Sequence, residues 1–385
     1  MLILSIISIA LGLSVMIIAQ SVGTGFQKAI KEKVSGFDAH IQISRFDFND
    51  SYELSPIDRN QNFVAVIRKM PEISSISPFI IKGGIATGNG LIQGIMFKGV
   101  DKDFDSKQFK TWLIQGKIPV FNKNSAQNEI LISKSIANKL QLSVNQKIIV
   151  YFVDEPPKIR QFIIRGIYHS GMEEFDERYI LGDMRHLQKI NAWNDSEVAG
   201  FDVNLKNYSD KELDRIADKI YSEIPYDVKA MTIKQRYPYI IDWLNLLDNN
   251  VFFILGLMML IAGITMISTL LILILEQTNM IGIMKAMGAS NFSIQKIFIY
   301  QSVIIISRGL LLGNSIGIGF IVLQHFFSLI PLNPEHYYMD TVPVNFDFYS
   351  IVLINASSIV ACVLMMLLPS RIISGIQPVK AIKFE

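Results

Sequence analysis

Residues 251–275 read VFFILGLMMLIAGITMISTLLILIL and contain no charged side chain. A helix needs roughly 20 apolar residues, at about 1.5 Å of rise each, to cross the hydrocarbon core of a bilayer, so this run is long enough to span it. Residues 276–290 follow directly and read EQTNMIGIMKAMGAS, with an acid, a lysine and two glycines. Another apolar run starts at Ile297. The sequence therefore predicts a short charged segment held between two membrane-spanning helices.

Apolar runs long enough to span a bilayer occur at residues 2–19, 251–275, 297–330 and 348–369 of the 385-residue chain. Charged residues make up only 18% of the chain, against about a quarter in soluble domains, which indicates membrane spans joined to a soluble part. The first run lacks the basic start and the small-residue cleavage site of a signal peptide, so we interpret it as a retained span. This span begins almost at Met1. A natural version of the protein could therefore carry a cytoplasmic segment ahead of the span that this sequence lacks.

These spans divide the chain into successive segments. We predict the first transmembrane helix with its stalk at residues 1–34, an outer domain at 35–245, the second helix at 246–276, a cytoplasmic coupling segment at 277–296, the third helix at 297–330, a short outer loop at 331–347, the fourth helix at 348–370 and a tail at 371–385. Lysine and arginine favour cytoplasmic loops. The coupling segment and the tail carry basic residues, whereas the short outer loop carries only acids. We therefore expect both termini in the cytoplasm and the large domain outside.

The outer domain has the patterns of a soluble α+β fold. HIQIS at residues 40–44 alternates with period two, as a half-buried strand does. Residues 83–100, GGIATGNGLIQGIMFKGV, form two strand-like runs around an Asn-Gly turn, which is typical of a hairpin. We predict two strand-and-helix sets that flank an insert at about residues 104–159.

No motif in the chain nominates a catalytic, cofactor or metal site. The five histidines form no closely spaced ligand pair, and the single cysteine, Cys362, excludes a disulfide framework and a Cys-based zinc site. The acid cluster MEEFDER at residues 172–178 is interpreted as a solvated turn rather than a cation site. The glycine-rich run at 83–94 lacks the Gly-Lys-Ser/Thr ending of a phosphate loop, so ATP, if it drives this protein, is bound by another chain. A net charge of +2 gives no indication of nucleic-acid binding.

The segment at 276–290 admits two interpretations. A short rigid helix between two spans would transmit a push from a partner protein to both, whereas a connector would merely join them. Gly282 and Gly288 bound the helix-forming residues, and Gly288, Ala289 and Ser290 predict a compact exit. The physics of the segment alone does not favour either interpretation.

Residues 276–298, EQTNMIGIMKAMGASNFSIQKIF, resemble the cytoplasmic coupling segment of the FtsX-like permeases of ABC transporters. In that family a glutamate ends the second span, and Ile-Gly-Ile-x-Lys-Ala-x-Gly-Ala-Ser follows. The resemblance extends to the whole topology of one span, a large outer domain and three more spans. Because the family's segment docks on the ATPase subunit, the resemblance implies ATPase-coupling roles at six matching positions: Glu276, Gly282, Lys285, Gly288, Ala289 and Ser290.

Two further stretches narrow the resemblance to the lipoprotein-releasing (Lol) branch of that family. Residues 331–348, PLNPEHYYMDTVPVNFDF, resemble its short outer loop. The ending at 368–385, LPSRIISGIQPVKAIKFE, has four residues at matching places: Pro369, Pro378, Val379 and Ala381. The resemblance implies an integral membrane α-helical protein whose outer α+β domain is a split ferredoxin-like porter subdomain with an insert.

The same resemblance implies a transport subunit of the bacterial inner membrane that is not itself an enzyme. It would pair with a second permease, as a homo- or heterodimer, and with an ABC ATPase subunit that holds the ATP and Mg. ATP-driven closure would lift acylated lipoproteins from the membrane and pass them to a periplasmic carrier. The carrier-binding permease of that system has an extended hairpin where this chain has only a short tip at residues 154–158, which argues against carrier docking by this chain.

Apolar residues at the end of the first span and on the second are candidates for a groove that holds acyl chains and membrane lipids, although such residues are also ordinary in any span. Burying an acyl chain offsets about 0.8 kcal/mol per CH₂ of the cost of extraction. The candidates are Phe26, Ile30, Val34, Phe252, Phe253, Met258 and Met259. Separately, Gly309, Gly313 and Gly317 recur every four residues and predict close helix packing, within this chain's own bundle or between two chains.

Four functions remain to be compared from the sequence. Lipoprotein release is the first, and an efflux or peptide-export permease of the same superfamily is the second. The third is a mechanotransmission permease that regulates a wall hydrolase, against which the large outer domain argues. The fourth is a membrane-anchored receptor without an ATPase, which the coupling motif opposes.

Overall fold

The structure is a computed structural model that describes residues 2–46, 54–121, 126–154, 156–206, 208–333 and 337–370. The α-helices in this part of the chain are α1 (Leu2–Asp38), α2 (Asn62–Arg68), α3 (Lys107–Trp112), α4 (Lys134–Leu140), α5 (Glu173–Asp176), α6 (Met184–Ile190), α7 (Asp210–Tyr221), α8 (Ile233–Arg236), α9 (Pro238–Glu276), α10 (Thr278–Ala286), α11 (Asn291–Phe327) and α12 (Phe348–Ser370). The predicted tail at 371–385, with Pro378, Val379 and Ala381, lies outside the described residues.

The strands among the described residues belong to one large mixed sheet and one small ladder. They are β1 (Ile41–Arg45), β2 (Ile57–Asp58), β3 (Ile73–Gly88), β4 (Leu91–Val100), β5 (Leu113–Gly116), β6 (Glu129–Ser133), β7 (Lys147–Phe152), β8 (Lys158–Tyr168), β9 (Tyr179–Asp183), β10 (Glu197–Val198), β11 (Gly200–Leu205) and β12 (Val228–Thr232). The order in the large sheet is β12-β1-β11-β3-β4-β9-β6-β8-β5, and β7 pairs with both β3 and β8. Strands β2 and β10 form the ladder.

The described residues fold as two compact units. One unit takes its residues from Met1–Lys28, Asp242–Leu332 and Thr341–Glu385, and the other from Ala29–Ile241 and Asn333–Asp340. We call the first the helical unit and the second the sheet unit.

Four helices, α1, α9, α11 and α12, are long and apolar enough to cross a membrane. This finding supports the predicted four spans. Helix α9 has 39 residues. At about 1.5 Å per residue it is roughly twice as long as the ~30 Å hydrocarbon core, so part of it extends beyond the bilayer.

Polar side chains inside the helical unit find partners on neighbouring helices. Ser5 Oγ of α1 lies 2.6 Å from Thr269 Oγ1 of α9. Asn314 of α11 and Asn355 of α12 exchange two amide hydrogen bonds of 2.8 and 2.9 Å. Because a bilayer offers no water to these groups, such pairs help to fix which helix faces meet.

The predicted hairpin at residues 83–100 is confirmed. Strands β3 and β4 pair antiparallel from Phe79↔Val100 to Gly88↔Leu91. The two residues of the turn, Asn89 and Gly90, both have positive φ, 51° and 79°. This is the backbone of a type I′ turn, which matches the right-handed twist of the strands and which Asn-Gly favours.

The end of α1 packs into an aromatic core of the sheet unit. The ring of Phe37 stacks on that of Phe175 at a centroid distance of 4.7 Å and meets the edge of Tyr179 at 4.8 Å. Phe109 and Tyr168, both fully buried, enlarge the same cluster. The helix that begins as a predicted span therefore ends as part of a soluble core.

Candidate functional site

Helix α10 lies between α9 and α11 and is anchored by its inner face. Ile281 and Gly282 are buried, and Ile281 belongs to the apolar core of the helical unit. Met284 packs against the same core. Gly282 thus lies inside the helix and is buried, so the prediction that it bounds the helix-forming residues is wrong.

The exit from α10 is a Schellman motif. The N–H of Ala289 donates to the carbonyl of Met284 at 2.9 Å, and the N–H of Gly288 donates to Lys285 at 3.0 Å. Gly288 has φ +92°, which side chains rarely adopt. Ser290 then caps α11, because its side chain accepts from the N–H of Ser293 at 3.2 Å. The predicted compact exit is confirmed.

The outer face of this segment is apolar and exposed. Ile283 is 54% exposed, Met287 82% and Phe292 73%. The sequence analysis did not single out these residues, although the 3.6-residue period would have placed Ile283 and Met287 on one face of α10, opposite Ile281. Glu276 and Gly288 are also exposed, whereas Lys285 is only partly so. An anchored helix with an exposed apolar face is suited to bind a partner and to pass its movement to α9 and α11.

Two family models match this chain. Residues 252–378 match the FtsX-like permease C-terminal model. Residues 2–219, more than half of the chain, match the MacB-like periplasmic core domain. The chain is an FtsX-like permease with a MacB-like periplasmic core domain. The first match includes the whole of α10 and its Schellman exit.

Curated relatives of the permease match it from end to end. The Lipoprotein-releasing system transmembrane protein LolC of Neisseria meningitidis serogroup B is 24% identical over 99% of this chain and 93% of the relative. The Lipoprotein-releasing system transmembrane protein LolE of Haemophilus influenzae is 21% identical over 98% of this chain and 93% of the relative.

Solved structures resemble about half of the permease. The extracellular domain of the noncanonic ABC-type transporter YknZ from Gram-positive bacteria is 14% identical, with a TM-score of 0.34, over 50% of this chain and 99% of that one. The periplasmic region of MacB from Actinobacillus actinomycetemcomitans is 12% identical, with a TM-score of 0.36, over 52% of this chain and 91% of that one.

The seven candidate acyl-groove residues of the permease differ in their exposure. Phe252 and Phe253 of α9 are 79% and 71% exposed. Met258, Met259 and Phe26 are partly buried. Ile30 and Val34 are buried at 0% and 2% exposure in the sheet unit. Those two therefore present no surface to a ligand here, because the end of α1 packs inside the domain.

The three glycines of α11 pack against α1 within the permease's own bundle. A Cβ on Gly309 would lie 2.9 Å from Ile9 Cβ, and one on Gly317 would lie 3.1 Å from Ile17 Cβ. At Gly313 it would lie 2.8 Å from the carbonyl oxygen of Ala10. The small residues thus let two helices approach closely.

A buried ionic cluster joins the end of α1 and the end of α8 to strands β4 and β11 of the sheet. Lys98 Nζ of β4 lies 2.9 Å from Asp38 Oδ1 at the end of α1 and 2.8 Å from Asp202 Oδ2 of β11. Arg236, at the end of α8, forms an ion pair with Asp38 and also donates to its backbone carbonyl at 2.9 Å. Burial lowers the pKa of the Arg236 guanidinium and raises the pKa of the neighbouring Tyr237 hydroxyl. The sequence analysis missed this cluster, since its members lie far apart in the chain.

The acid cluster at 172–178 is not simply a solvated turn. Asp176 is 2% exposed and accepts from Ser170 Oγ at 2.8 Å and from His169 Nδ1 at 2.9 Å. Burial raises the pKa of the Asp176 carboxyl, although the Ser170 bonds oppose this. Among the described residues, no group of His, Cys, Asp and Glu side chains has an arrangement that could hold a metal ion.

The hairpin between β7 and β8 is short. Phe152 pairs with Lys158, so only residues 153–157 connect the strands, and Glu155 lies outside the described residues. Lys158 Nζ forms a 2.9 Å ion pair with Asp154 across the tip. Val153 at the tip is 66% exposed.

Proposed function

We propose that this permease is the transmembrane subunit of an ABC transporter that releases lipoproteins from the inner membrane for delivery to the outer membrane. ATP hydrolysis in a partner subunit drives the release. The observation that carries the proposal is the end-to-end similarity to lipoprotein-releasing proteins, over 99% of this chain and 93% of the LolC relative. A match of that extent includes the spans, the outer domain and the coupling segment together.

The coupling segment supports the ATPase partnership. We propose that α10 and its exit bind the ATPase subunit, and that the ATPase subunit holds the ATP and Mg. Six residues of this chain would form the coupling unit: Glu276, Gly282, Lys285, Gly288, Ala289 and Ser290. Ile283, Met287 and Phe292 supply the exposed apolar surface that such docking would bury. Desolvated apolar anchors of this kind commonly dominate binding energy in protein interfaces.

We further propose that the outer domain contains a split ferredoxin-like porter subdomain. The support is the strand order β12-β1-β11-β3, with α2 between β1 and β3 and α7 between β11 and β12. That order and those connections fit a βαββαβ unit interrupted between β3 and β11. The interruption would then run from the end of β3 at Gly88 to the start of β11 at Gly200, which is wider than the insert predicted at about 104–159. The other domain boundaries of this proposal are those predicted from the sequence.

In this proposal both termini and the 277–296 segment are cytoplasmic and the outer domain is periplasmic. A second permease completes the transporter. Acyl chains of the cargo pass along α9, where Phe252, Phe253, Met258 and Met259 retain accessible surface. Another chain recruits the periplasmic carrier, because the β7–β8 tip of this chain is short.

Depletion of the permease in its host, followed by fractionation of the two membranes, tests the release function. Outer-membrane lipoproteins should accumulate in the inner membrane within about a generation. Normal delivery to the outer membrane would refute lipoprotein release. Export of peptides or control of a hydrolase would then be the functions to test, because they use the same coupling segment.

A further inference from the structure

The short outer loop between α11 and α12 belongs to both units of the fold. Its two arms, which end at Leu332 and begin again at Thr341, belong to the helical unit, whereas its tip, Asn333–Asp340, belongs to the sheet unit. Residues 334–336 of the tip lie outside the described residues. Because α11 and α12 lead into this loop from either side, a tip that is held firmly joins these two spans to the outer domain.

The base of the loop is closed and attached to α11 within the helical unit. Gln324, in the last turn of α11, is 2% exposed. Its side-chain amide donates to the carbonyl of Val342 at 3.0 Å, and its side-chain oxygen accepts from the N–H of Ile330 at 3.2 Å. The N–H of Val342 also donates to the carbonyl of Ile330 at 3.1 Å. One buried side chain of α11 thus holds both arms of the loop, so a displacement of this end of α11 also displaces the base of the loop.

The tip of the loop is fastened within the sheet unit by Lys33, near the end of α1. The ammonium group of Lys33 donates to the carbonyl of Ser170 at 2.7 Å and to the carbonyl of Tyr338 at 2.5 Å. The carboxylates of Asp340 and Asp176 add electrostatic attraction to the same ammonium group. Hydrogen bonds to a charged group are stronger than those between neutral groups. One side chain therefore joins the loop tip to the segment that precedes α5.

The segment that precedes α5 is arranged around this ammonium group. Asp176, which is 2% exposed, accepts from the N–H of Ser170 at 3.1 Å and from the N–H of Gly171 at 3.3 Å. Gly171 has φ +73°, and a Cβ there would lie 2.6 Å from Lys33 Nζ and 3.1 Å from the carbonyl oxygen of Tyr338. A side chain at this position would therefore displace the ammonium group, and glycine is required both for the backbone and for the close approach.

The loop tip is held in a conformation that its residues rarely adopt on their own. Tyr338 has φ +59°, in the left-handed region that is uncommon for a bulky side chain. Such a backbone persists where the surrounding structure over-determines it. Here the carbonyl of Tyr338 binds Lys33, and the next residue, Met339, is buried at 7% exposure. The tip is therefore fixed in the sheet unit by a polar contact and an apolar one.

We propose that Lys33 is a positioning residue that fixes the loop tip to the outer domain and so makes the loop a mechanical link in the transporter. The proposal rests on the function proposed above, in which the ATPase subunit moves α10. The movement passes through the exit at Gly288 into α11, along α11 to Gln324, and through the loop to Lys33. The outer domain thereby receives the movement at this loop in addition to the ends of α1 and α9. Covalent chain and buried polar contacts of this kind can carry coupling between distant sites.

Removal of the Lys33 ammonium group tests the link in the whole transporter. The permease, its ATPase subunit and its second permease are placed in vesicles with an acylated lipoprotein, and ATP hydrolysis and lipoprotein release are measured together. Lys33→Met should lower the amount of lipoprotein released per ATP hydrolysed by about fivefold. ATP hydrolysis should stay near the wild-type rate, because α10 and its exit are unchanged.

A matched control on the same helix removes the effect of charge. Lys28 is exposed on α1, and Lys28→Met changes the net charge by the same amount. This variant should release as much lipoprotein per ATP as the wild type. An unchanged ratio in Lys33→Met, or an equal fall in both variants, overturns the proposal.

A covalent bridge separates positioning from stability. Tyr338 interacts electrostatically with Glu173, which is exposed. Cysteines at these two positions, in a chain with Lys33→Met and Cys362→Ser, are joined to completion by a short bifunctional thiol reagent, and the partner subunits contain no cysteine. The bridge should restore the wild-type amount of lipoprotein released per ATP, which a merely structural role of Lys33 would not predict. A completed bridge that restores nothing overturns the proposal.

The rate of the same crosslink separates the link from the release function. In the purified full chain with Cys362→Ser, Glu173→Cys and Tyr338→Cys should react about fivefold faster when Lys33 is intact than with Lys33→Met, because the ammonium group holds the tip beside α5. This difference supports the positioning role even if the vesicles release no lipoprotein and the proposed function falls. Equal rates, or no crosslink with Lys33 intact, overturn the proposal, since Lys33 would then not hold the loop tip.

Discussion

The side chain of Lys98 is a fully buried charge in the sheet unit. It is 0% exposed and touches Asp38, Asp202 and the carbonyl of Phe37, which lies 3.0 Å from its Nζ. The two carboxylates come from the end of α1 and from β11, and Arg236 binds one of them. Removing one member of such a cluster leaves the others buried without compensation, which costs more than the intact cluster contributes.

Lys98→Met should therefore destabilise the protein strongly, by about 3–5 kcal/mol, because Asp38 and Asp202 lose their shared cation. Lys107→Met is the control, since Lys107 is exposed and lies 3.7 Å from Asp105; it should cost no more than about 1 kcal/mol. Denaturant unfolding of the purified chain, followed by tryptophan fluorescence to which the buried Trp112 contributes, measures both. Equal losses in the two variants would mean that the cluster does not hold the unit together.

His40 should make the sheet unit sensitive to acid. Its Nδ1 accepts from the N–H of Leu205 at 3.2 Å, and burial lowers the pKa of the ring to about 4. The unfolded pKa is about 6.5, so the native state favours neutral His40 and stability falls as pH drops from about 6.5 towards 4. The loss should reach about 2 kcal/mol at pH 5, from ~1.4 kcal/mol per pKa unit.

His40→Gln should flatten this pH dependence, because it removes the group that the unfolded chain protonates. His169→Gln, at a ring that is 39% exposed, should retain it. Unfolding free energies at pH 7 and pH 5 compare the three proteins. A slope as steep as that of the wild type after His40→Gln would assign the acid sensitivity to another group, such as His186, whose pKa burial also lowers.

At the scale of single elements, the geometry of the α10 exit should determine how well ATP hydrolysis is coupled to lipoprotein release. Gly288→Val forces a β-branched residue to φ +92°, at a cost of about 1–3 kcal/mol, and so disturbs the angle between α10 and α11. Gly288→Asn should be mild, since asparagine tolerates left-handed backbone. Lipoprotein released per ATP hydrolysed, in vesicles with the ATPase subunit, should fall for valine and be largely kept for asparagine. Equal coupling in both variants would support the simple-connector interpretation.

The contact between α11 and α1 should tolerate no added side chain. Gly313→Ile would push a Cβ to within 2.8 Å of the carbonyl oxygen of Ala10, which is backbone and cannot turn aside. Overpacking of this kind costs about 1–3 kcal/mol. Gly319→Ile on the same helix is the control, because a Cβ there meets nothing within 4 Å. Thermal unfolding in detergent should separate the two variants; equal stability would contradict the packing of α11 on α1.

The sequence predicts a structural feature well when the residues that form it are close together in the chain, and poorly when they are far apart. Features encoded locally were predicted: the apolar spans, the Asn89-Gly90 turn and the exit at Gly288. Features that join distant residues were not. Lys98, Asp38 and Asp202 lie on three separate elements, and nothing in a single sequence pairs them. Ile30 and Val34 likewise follow a helical period that looks like a membrane surface, but the domain that buries them is formed by residues far along the chain.

At the scale of the whole molecule, the short β7–β8 tip predicts how the transporter divides its work. Two permeases with different hairpins would let one chain recruit the carrier while this chain handles cargo and coupling. Val153 lies at the tip, is apolar and is 66% exposed, so it is a direct place for a carrier to dock. If the carrier binds elsewhere, Val153→Asp should leave transfer of lipoprotein to the carrier unchanged, because no contact is lost. Under the function proposed above, Val153→Cys in a chain with Cys362→Ser should form no crosslink with the carrier, whereas a cysteine on a longer hairpin of a second permease should. A crosslink at Val153, or slower transfer with Val153→Asp, would place the carrier on this chain and remove the reason for a division between two different permeases.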